Sequence, residues 1–470
     1  MSRTRQIYTL NPKDLAPETI AVTFAKTSRS PQSFKEIAEG LTEAKSSEFH
    51  EKWVVGYGHA SVAEHAVLHI AFENVSRLAV ETIESCRLAS FTEKSTRYQK
   101  WGAQDFYIPI ELAHSPYEEK YVATCRQLFD TYLNCLEKVE SWLLINAPVK
   151  DCEDSVTRKR RLHTEAIDAC RFLLPASSLA NVGMTVNARE LEHAIVKMLS
   201  HPLSEVRQIG EEMKQVAQAE VPTLVKYASP SSYLQHLPEI IPSFASNIGR
   251  KDWCILQDVD PQAEIRLSAA ALFRYHNQDY ETALAQASAM DVINRADLIT
   301  QLLAEIESYE LPLREAEHIT FTFELVMDQG AYYEFKRHRM MTLSPQSLGA
   351  SLGYCIPLLI HSAGMLEEYC KAMDTAGITW QEISNFNPEV AAYGIPNGYN
   401  RRALVTINLR SLIHLVRLRT RPSAHFSIRR IAHRMAECVS SVLPGIGQTL
   451  HVNEDETWQS IQDEHFLKVE

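Results

Sequence analysis

Three groups of residues in this 470-residue chain have types and spacing suited to chemistry on anions. Arg337-His338-Arg339 sets two guanidinium forks beside an imidazole, a donor set for anionic oxygens or an electron-rich ring. Further upstream, Glu93, Ser95 and Arg97 combine an acceptor, a hydroxyl and a phosphate-seeking fork within five residues. Downstream, Asn408 and Arg419 are 11 apart, close to three helical turns, and so share a face, while Arg410 and His414 sit at i, i+4 on another. One helix can thus address two ligands. The first two groups also have plainer readings, a solvated basic helix end for Lys336 to Arg339 and a polar loop with an ordinary surface ion pair for Glu93 to Arg97; a further arginine, Arg171, could likewise simply pair with Asp168 or Glu165 on its own helix.

The elements that position these groups occur twice. Glu64-His65 recurs as Glu317-His318, each ahead of alternating apolar residues, Leu68, Ile70, Phe72 and Phe321, Phe323, Leu325, the period of a half-buried strand. Ser76 and Asp328 are placed to cap a short helix after each strand. Pro175 precedes Asn187 by 12 positions and Pro396 precedes Asn408 by the same 12, and Asn-x-Arg follows in both halves as Asn187, Arg189 and Asn408, Arg410. Each half closes on an amphipathic helix, apolar at Leu203, Val206, Ile209, Met213, Val216 and at Ile428, Ile431, Met435, Val439, Val442. Stretches 117–144 and 361–383 read as matching long helices. The expected organisation is therefore α+β, a small sheet with long helices in each copy, with a front domain 1–228, a proline-containing linker 229–255 and a back domain 256–470.

At this point the chain resembles the flavin-dependent thymidylate synthases, whose signature reads RHRxxSxNExSxRY. The back copy keeps the Arg-His-Arg triplet, and the front copy keeps Ser90, Glu93, Ser95, Arg97 and Tyr98. Gly58-His59-x-Ser61-x-x-Glu64-His65 and the later Asn-x-Arg segments also look like that family, so the resemblance runs through nearly the whole chain twice. It implies that His59, Ser61, Glu64, Arg337, His338, Arg339, Asn408, Arg410 and His414 contact FAD. It further implies that Glu93, Ser95, Arg97, Arg171 and Arg419 hold the nucleotide, with Arg171 and Arg419 serving catalysis. Losses are complementary: Met198 stands where the front copy would have its Arg419, Ala392 where the back copy would have its Arg171, and Gly349 where it would have its Arg97. In the back copy Pro312 and Arg314 replace His59 and Ser61.

The implied activity is reductive methylation of dUMP to dTMP at C5, a methyltransferase reaction with FAD as cofactor and methylenetetrahydrofolate and NADPH as co-substrates. The implied assembly is a homodimer in which four copies form a pseudo-tetramer. Glu334 occupies the place of a glutamine-type residue of the family, which leaves open a flavoenzyme acting on another pyrimidine nucleotide. A flavin or nucleotide binder without catalysis also stays open, because neither copy of the motif is whole. Cys86 beside Arg87 raises the thought of a thiolate nucleophile; an inert cysteine in place of a lost histidine is the simpler reading.

Bulk composition sets outer bounds. A formal charge of −12 argues against a surface built for a nucleic-acid backbone. No GxGxxG after a strand, GK[ST] loop, HExxH or zinc-spaced Cys/His set is present, and no metal is expected. Nine scattered cysteines without a CxxC pair suit reduced thiols in a cytoplasm, and no 18-residue apolar run suggests a membrane span.

Overall fold

The computed structural model describes residues 6–56, 59–97, 101–242, 252–303 and 310–468. Its backbone clusters into two compact units: unit 1 comprises Met1–Ser95, Phe106–Ser115 and Ser177–Ser246, and unit 2 comprises Thr96–Asp105, Pro116–Ala176 and Asn247–Glu470. These are not the two halves of the sequence, since two front-half segments, one of them carrying the long helix Glu118–Asn146, belong to unit 2.

In unit 1, strands β1 (Val67–Ser76), β2 (Ser90–Glu93) and β3 (Leu179–Asn187) form an antiparallel sheet in the order β1-β3-β2. Alternation places Leu68, Ile70 and Phe72 of β1 and Val182, Met184 and Val186 of β3 on the buried face. Helices Arg77–Ile83, Ala188–Leu199 and Ser204–Glu220 cover that face.

Unit 2 repeats the plan with β4 (Cys254–Val259), β5 (Thr320–Asp328), β6 (Met341–Pro345) and β7 (Asn400–Asn408) in the order β4-β5-β7-β6. The registers correspond: Val67 faces Asn187 in one sheet and Thr320 faces Asn408 in the other. They part at one place. β1 carries a bulge between Phe72 and Val75, with Asn74 in the left-handed region at φ 57°, whereas β5 runs in unbroken register.

Unit 2 also brings together equivalent segments of the two copies. The helices Glu118–Asn146 and Leu366–Ser384 pack together, joined by Lys120 to Glu382 at 2.5 Å and by the Thr124 and Thr379 hydroxyls at 2.8 Å. The Leu174-Pro175 and Ile395-Pro396 turns pair antiparallel: Ala176 N–H donates to Ile395 O and Asn397 N–H to Leu174 O, each at 2.9 Å. The two bonds are related by a local two-fold through the prolines.

Two expectations, the last apolar position of each closing helix and the linker, need adjusting. Val216 and Val442 are 57% and 47% exposed, because the buried ridge advances by four to Ala217 and Leu443. The stretch read as a linker contains the helix Ser232–Ile240, with Pro238 inside it and none of its residues buried, and β4 begins at Cys254. Among the described residues, no helix is long and apolar enough to cross a membrane.

Candidate functional site

The arginines drawn from the two copies meet in unit 2. Arg171 follows the helix Ser155–Cys170, at the start of a short 3-10 turn that leads into Pro175, and its carbonyl accepts from Asn397 Nδ2 of the opposite proline turn at 3.0 Å. Arg419 is the last residue of the helix Leu409–Arg419, and Arg97 lies just after β2. Between Arg171 and Arg419 stands Glu334, on the short helix Gln329–Phe335. Its carboxylate accepts from Arg171 Nη2 at 2.9 Å with one oxygen and from Arg419 Nη1 at 3.2 Å with the other. Arg419 Nη2 also donates to the Glu334 carbonyl at 3.0 Å.

Arg97 is engaged elsewhere. Its Nε and Nη2 donate to the two carboxylate oxygens of Asp168 at 2.8 and 2.6 Å, and its Nη1 to Ser423 O at 2.8 Å. Asp168 therefore pairs with Arg97 rather than with Arg171. Side chains of Arg171, Glu334 and Arg419 are only 4%, 10% and 13% exposed, so these charges interact in a poorly hydrated place. Burial works to raise the Glu334 carboxyl, but the charges of Arg171, Arg419 and Arg97 outweigh it and hold the group below its ordinary value.

The Arg337-His338-Arg339 run occupies the turn between the helix Gln329–Phe335 and β6, with Arg337 exposed. His338 Nε2 accepts from Arg419 Nε at 2.9 Å, which fixes the neutral ring with its proton on Nδ1. Burial, then the charge of Arg419, pushes its pKa down to about 3. The imidazole thus serves as an acceptor at Nε2, where the sequence suggested a donor to anions. The His414 ring lies edge-on to it, 5.8 Å away between centroids.

Asn408 spends its side-chain oxygen on the N-cap of the helix Leu409–Arg419, accepting from Ser411 N at 2.8 Å, and Asn187 does the same in unit 1. Arg410 donates to Glu317 at 2.8 Å and to Pro312 O at 2.9 Å. Unit 1 repeats that ion pair with Arg189 and Glu64 at 2.5 Å.

The remaining candidates lie in unit 1. Glu93 is buried with Arg77 at 3.4 Å, and Ser95 is half-buried just beyond β2. Tyr98 and Gly58 fall outside the described residues. His59, Ser61 and Glu64 line a cavity of about 910 Å³ together with Phe24, Trp53 and His65. Lys26 and Arg29 line it too, the Arg29 guanidinium lying 4.5 Å from the Trp53 ring centre. Aromatic faces for a planar ring beside cations for a diphosphate fit the chemistry of a dinucleotide cofactor, and the volume lies within the range of ligand pockets.

The profile of the thymidylate synthase complementing protein family matches residues 10–223 and again 255–445. The chain belongs to that family. It is a tandem member, and its relatives come in both lengths. A UPF0159 protein of Chlamydia muridarum is 32% identical over 429 residues, covering 85% of this chain and 80% of that protein. A flavin-dependent thymidylate synthase of Clostridium tetani is 27% identical over 224 residues, covering 47% of this chain and 86% of that protein. The crystal structure of a UMP/dUMP methylase, PolB, from Streptomyces cacaoi bound with 5-Br dUMP aligns with TM-score 0.34 and 19% identity over 42% of this chain and 93% of that one.

Within this family member, unit 2 collects Arg97, Arg171, Arg337, His338, Arg339, Asn408, Arg410, His414 and Arg419, while His59, Ser61, Glu64, Glu93 and Ser95 belong to unit 1. Sequence reasoning missed the working partners: Asp168 for Arg97 and Glu334 for Arg171 and Arg419. A signal for Glu334 was present, a lone carboxylate in the otherwise uncharged run Gln329 to Phe335. Cys86 has its thiol pushed up to about 11, chiefly by burial, which suits an inert side chain rather than a nucleophile.

Proposed function

We propose that the chain is an FAD-dependent thymidylate synthase that methylates dUMP reductively at C5, with methylenetetrahydrofolate as carbon donor and NADPH as reductant. The observation that carries this reading is the convergence of Arg171 from the front copy with Arg419 from the back copy at one buried centre beside Arg97. Those arginines bind and orient the nucleotide and polarise its base, with Glu93 and Ser95 assigned to the same task. His59, Ser61 and Glu64 of unit 1 and Arg337, His338, Arg339, Asn408, Arg410 and His414 of unit 2 are assigned to the cofactor. FAD, when bound and reduced by NADPH, would supply the hydride that such a methylation requires. The flavin named in the Clostridium tetani relative and the aromatic, cation-bearing cavity of unit 1 both support the assignment.

Two chains are proposed to associate, so that four copies of the fold complete the sites. Turnover of dUMP to dTMP by the purified full chain with methylenetetrahydrofolate and NADPH is the direct test. A yellow protein that NADPH bleaches and substrate reoxidises is expected. Protein that neither holds flavin nor forms dTMP would remove the proposal.

A further inference from the structure

Both carboxylate oxygens of Asp168 are taken by Arg97, and the two oxygens of Glu334 are divided between Arg171 and Arg419. Three guanidinium groups thus already face two carboxylates, so the formal charges of these five side chains sum to +1 rather than the +3 of the arginines alone, with Arg337 adding its charge beside Arg419. Glu334 does what a bound phosphate would do: it bridges one arginine from each copy through separate oxygens at 2.9 and 3.2 Å. Its side chain is 10% exposed and has Arg171 and Arg419 as its charged partners. A nucleotide phosphate reaching for the same donors meets a second anion at van der Waals range, where like charges oppose one another most.

We propose that Glu334 is an internal substitute for the substrate phosphate, holding Arg171 and Arg419 ready but competing for them, so that this site draws its affinity from the pyrimidine and sugar rather than from the phosphate. The inference rests on the nucleotide reading above and narrows its substrate class to pyrimidine nucleosides and monophosphates whose phosphate adds little to binding. The alternative, that Glu334 is merely the structural partner of two arginines, predicts that removing its charge weakens nucleotide binding as the arginines lose their positions.

Calorimetry with dUMP and deoxyuridine on the full-length protein, unaltered and as E334Q, decides between them. The unaltered protein binds the two ligands within about threefold of each other, and E334Q gains roughly ten- to a hundredfold for dUMP alone, the worth of one charge-assisted contact released to the phosphate. A preference of the unaltered protein for dUMP of tenfold or more, or a loss of dUMP affinity in folded E334Q, overturns the proposal while leaving the nucleotide reading in place. Binding of neither ligand by either protein overturns both. Should E334Q fail to fold, a second measurement on the unaltered protein stands in: millimolar inorganic phosphate leaves deoxyuridine affinity unchanged if Glu334 already fills the phosphate position, and weakens or strengthens it measurably if the position is open.

Discussion

The helix-capping corner after the first long strand is built twice, with its partners exchanged. In unit 1, Ser76 caps the helix Arg77–Ile83, and Glu205 binds it from the helix Ser204–Glu220, accepting from Ser76 N at 2.8 Å and from its hydroxyl at 2.6 Å. In unit 2 the cap is Asp328, and the residue opposite, on the helix Phe426–Val442, is Ser427. Acid and hydroxyl have changed places while the contact survives. The Glu64–Arg189 and Glu317–Arg410 pairs likewise survive in both units. The arginine centre is different, because Arg171 is matched by Ala392 and Arg419 by Met198. Contacts that hold each copy's fold recur in both units, directly or with partners exchanged, whereas the arginine centre draws on residues that each copy has alone.

The largest expected effect lies where that division is deepest. Arg171→Ala leaves Glu334 buried with Arg419 as its remaining hydrogen-bonded partner, and should destabilise the protein by about 3 kcal/mol, the scale of breaking a buried ion pair. The exposed Arg189–Glu64 pair, 40% and 44% exposed, should cost roughly 0–1 kcal/mol when Arg189 is replaced by Ala. Denaturant titration giving equal losses for the two would erase the distinction between divided and conserved contacts.

A middle effect tests compensation. Ser76→Asp sets a second carboxylate against Glu205, and Ser76→Asp with Glu205→Ser recreates the pairing that unit 2 already uses. The double variant should exceed the sum of the single effects by about 0.5–3 kcal/mol in stability. Simple additivity in the four-variant cycle would mean that the exchange is coincidence.

The last effect vanishes at neutral pH and shows only in acid: burial, then the charge of Arg419, holds the His338 pKa down to about 3, below its ordinary value of 6.5. Between those values the unfolded chain binds the extra proton, so stability falls as pH falls, by at most about 1.4 kcal/mol per pH unit from this ring. His338→Gln retains an acceptor for Arg419 and should flatten that part of the acid limb when melting temperature is followed from pH 7 to pH 4. An unchanged slope would place the ring's proton linkage elsewhere.

Much of each copy was legible in the sequence because it is local. Alternation gave β1 and β5, Ser76 and Asp328 signalled the helices they cap, and Asn187 and Asn408 lie at matching registers. The helix at Ser232–Ile240 was hidden by its proline and by having no buried face. The gathering of Arg97 and Arg171 with Arg419 followed from resemblance and complementary loss, but their partners did not. Asp168 and Arg97 are 71 residues apart, Arg171 and Glu334 163, and nothing in local spacing encodes which carboxylate a guanidinium will choose.

The paired turns at Pro175 and Pro396 bear on how such a chain can change over generations. Where identical subunits meet about a two-fold axis, any replacement near the axis is made twice, and both sides must tolerate it. Once the two sides are written separately in one gene, a replacement beside one turn is felt once. Arg171 and Ala392 each lie four residues before their proline, at that kind of position, and there one side carries an arginine and the other an alanine. Two copies written in one gene are two independent constraints, and an arginine centre that differs between its two sides is one that identical subunits could not build.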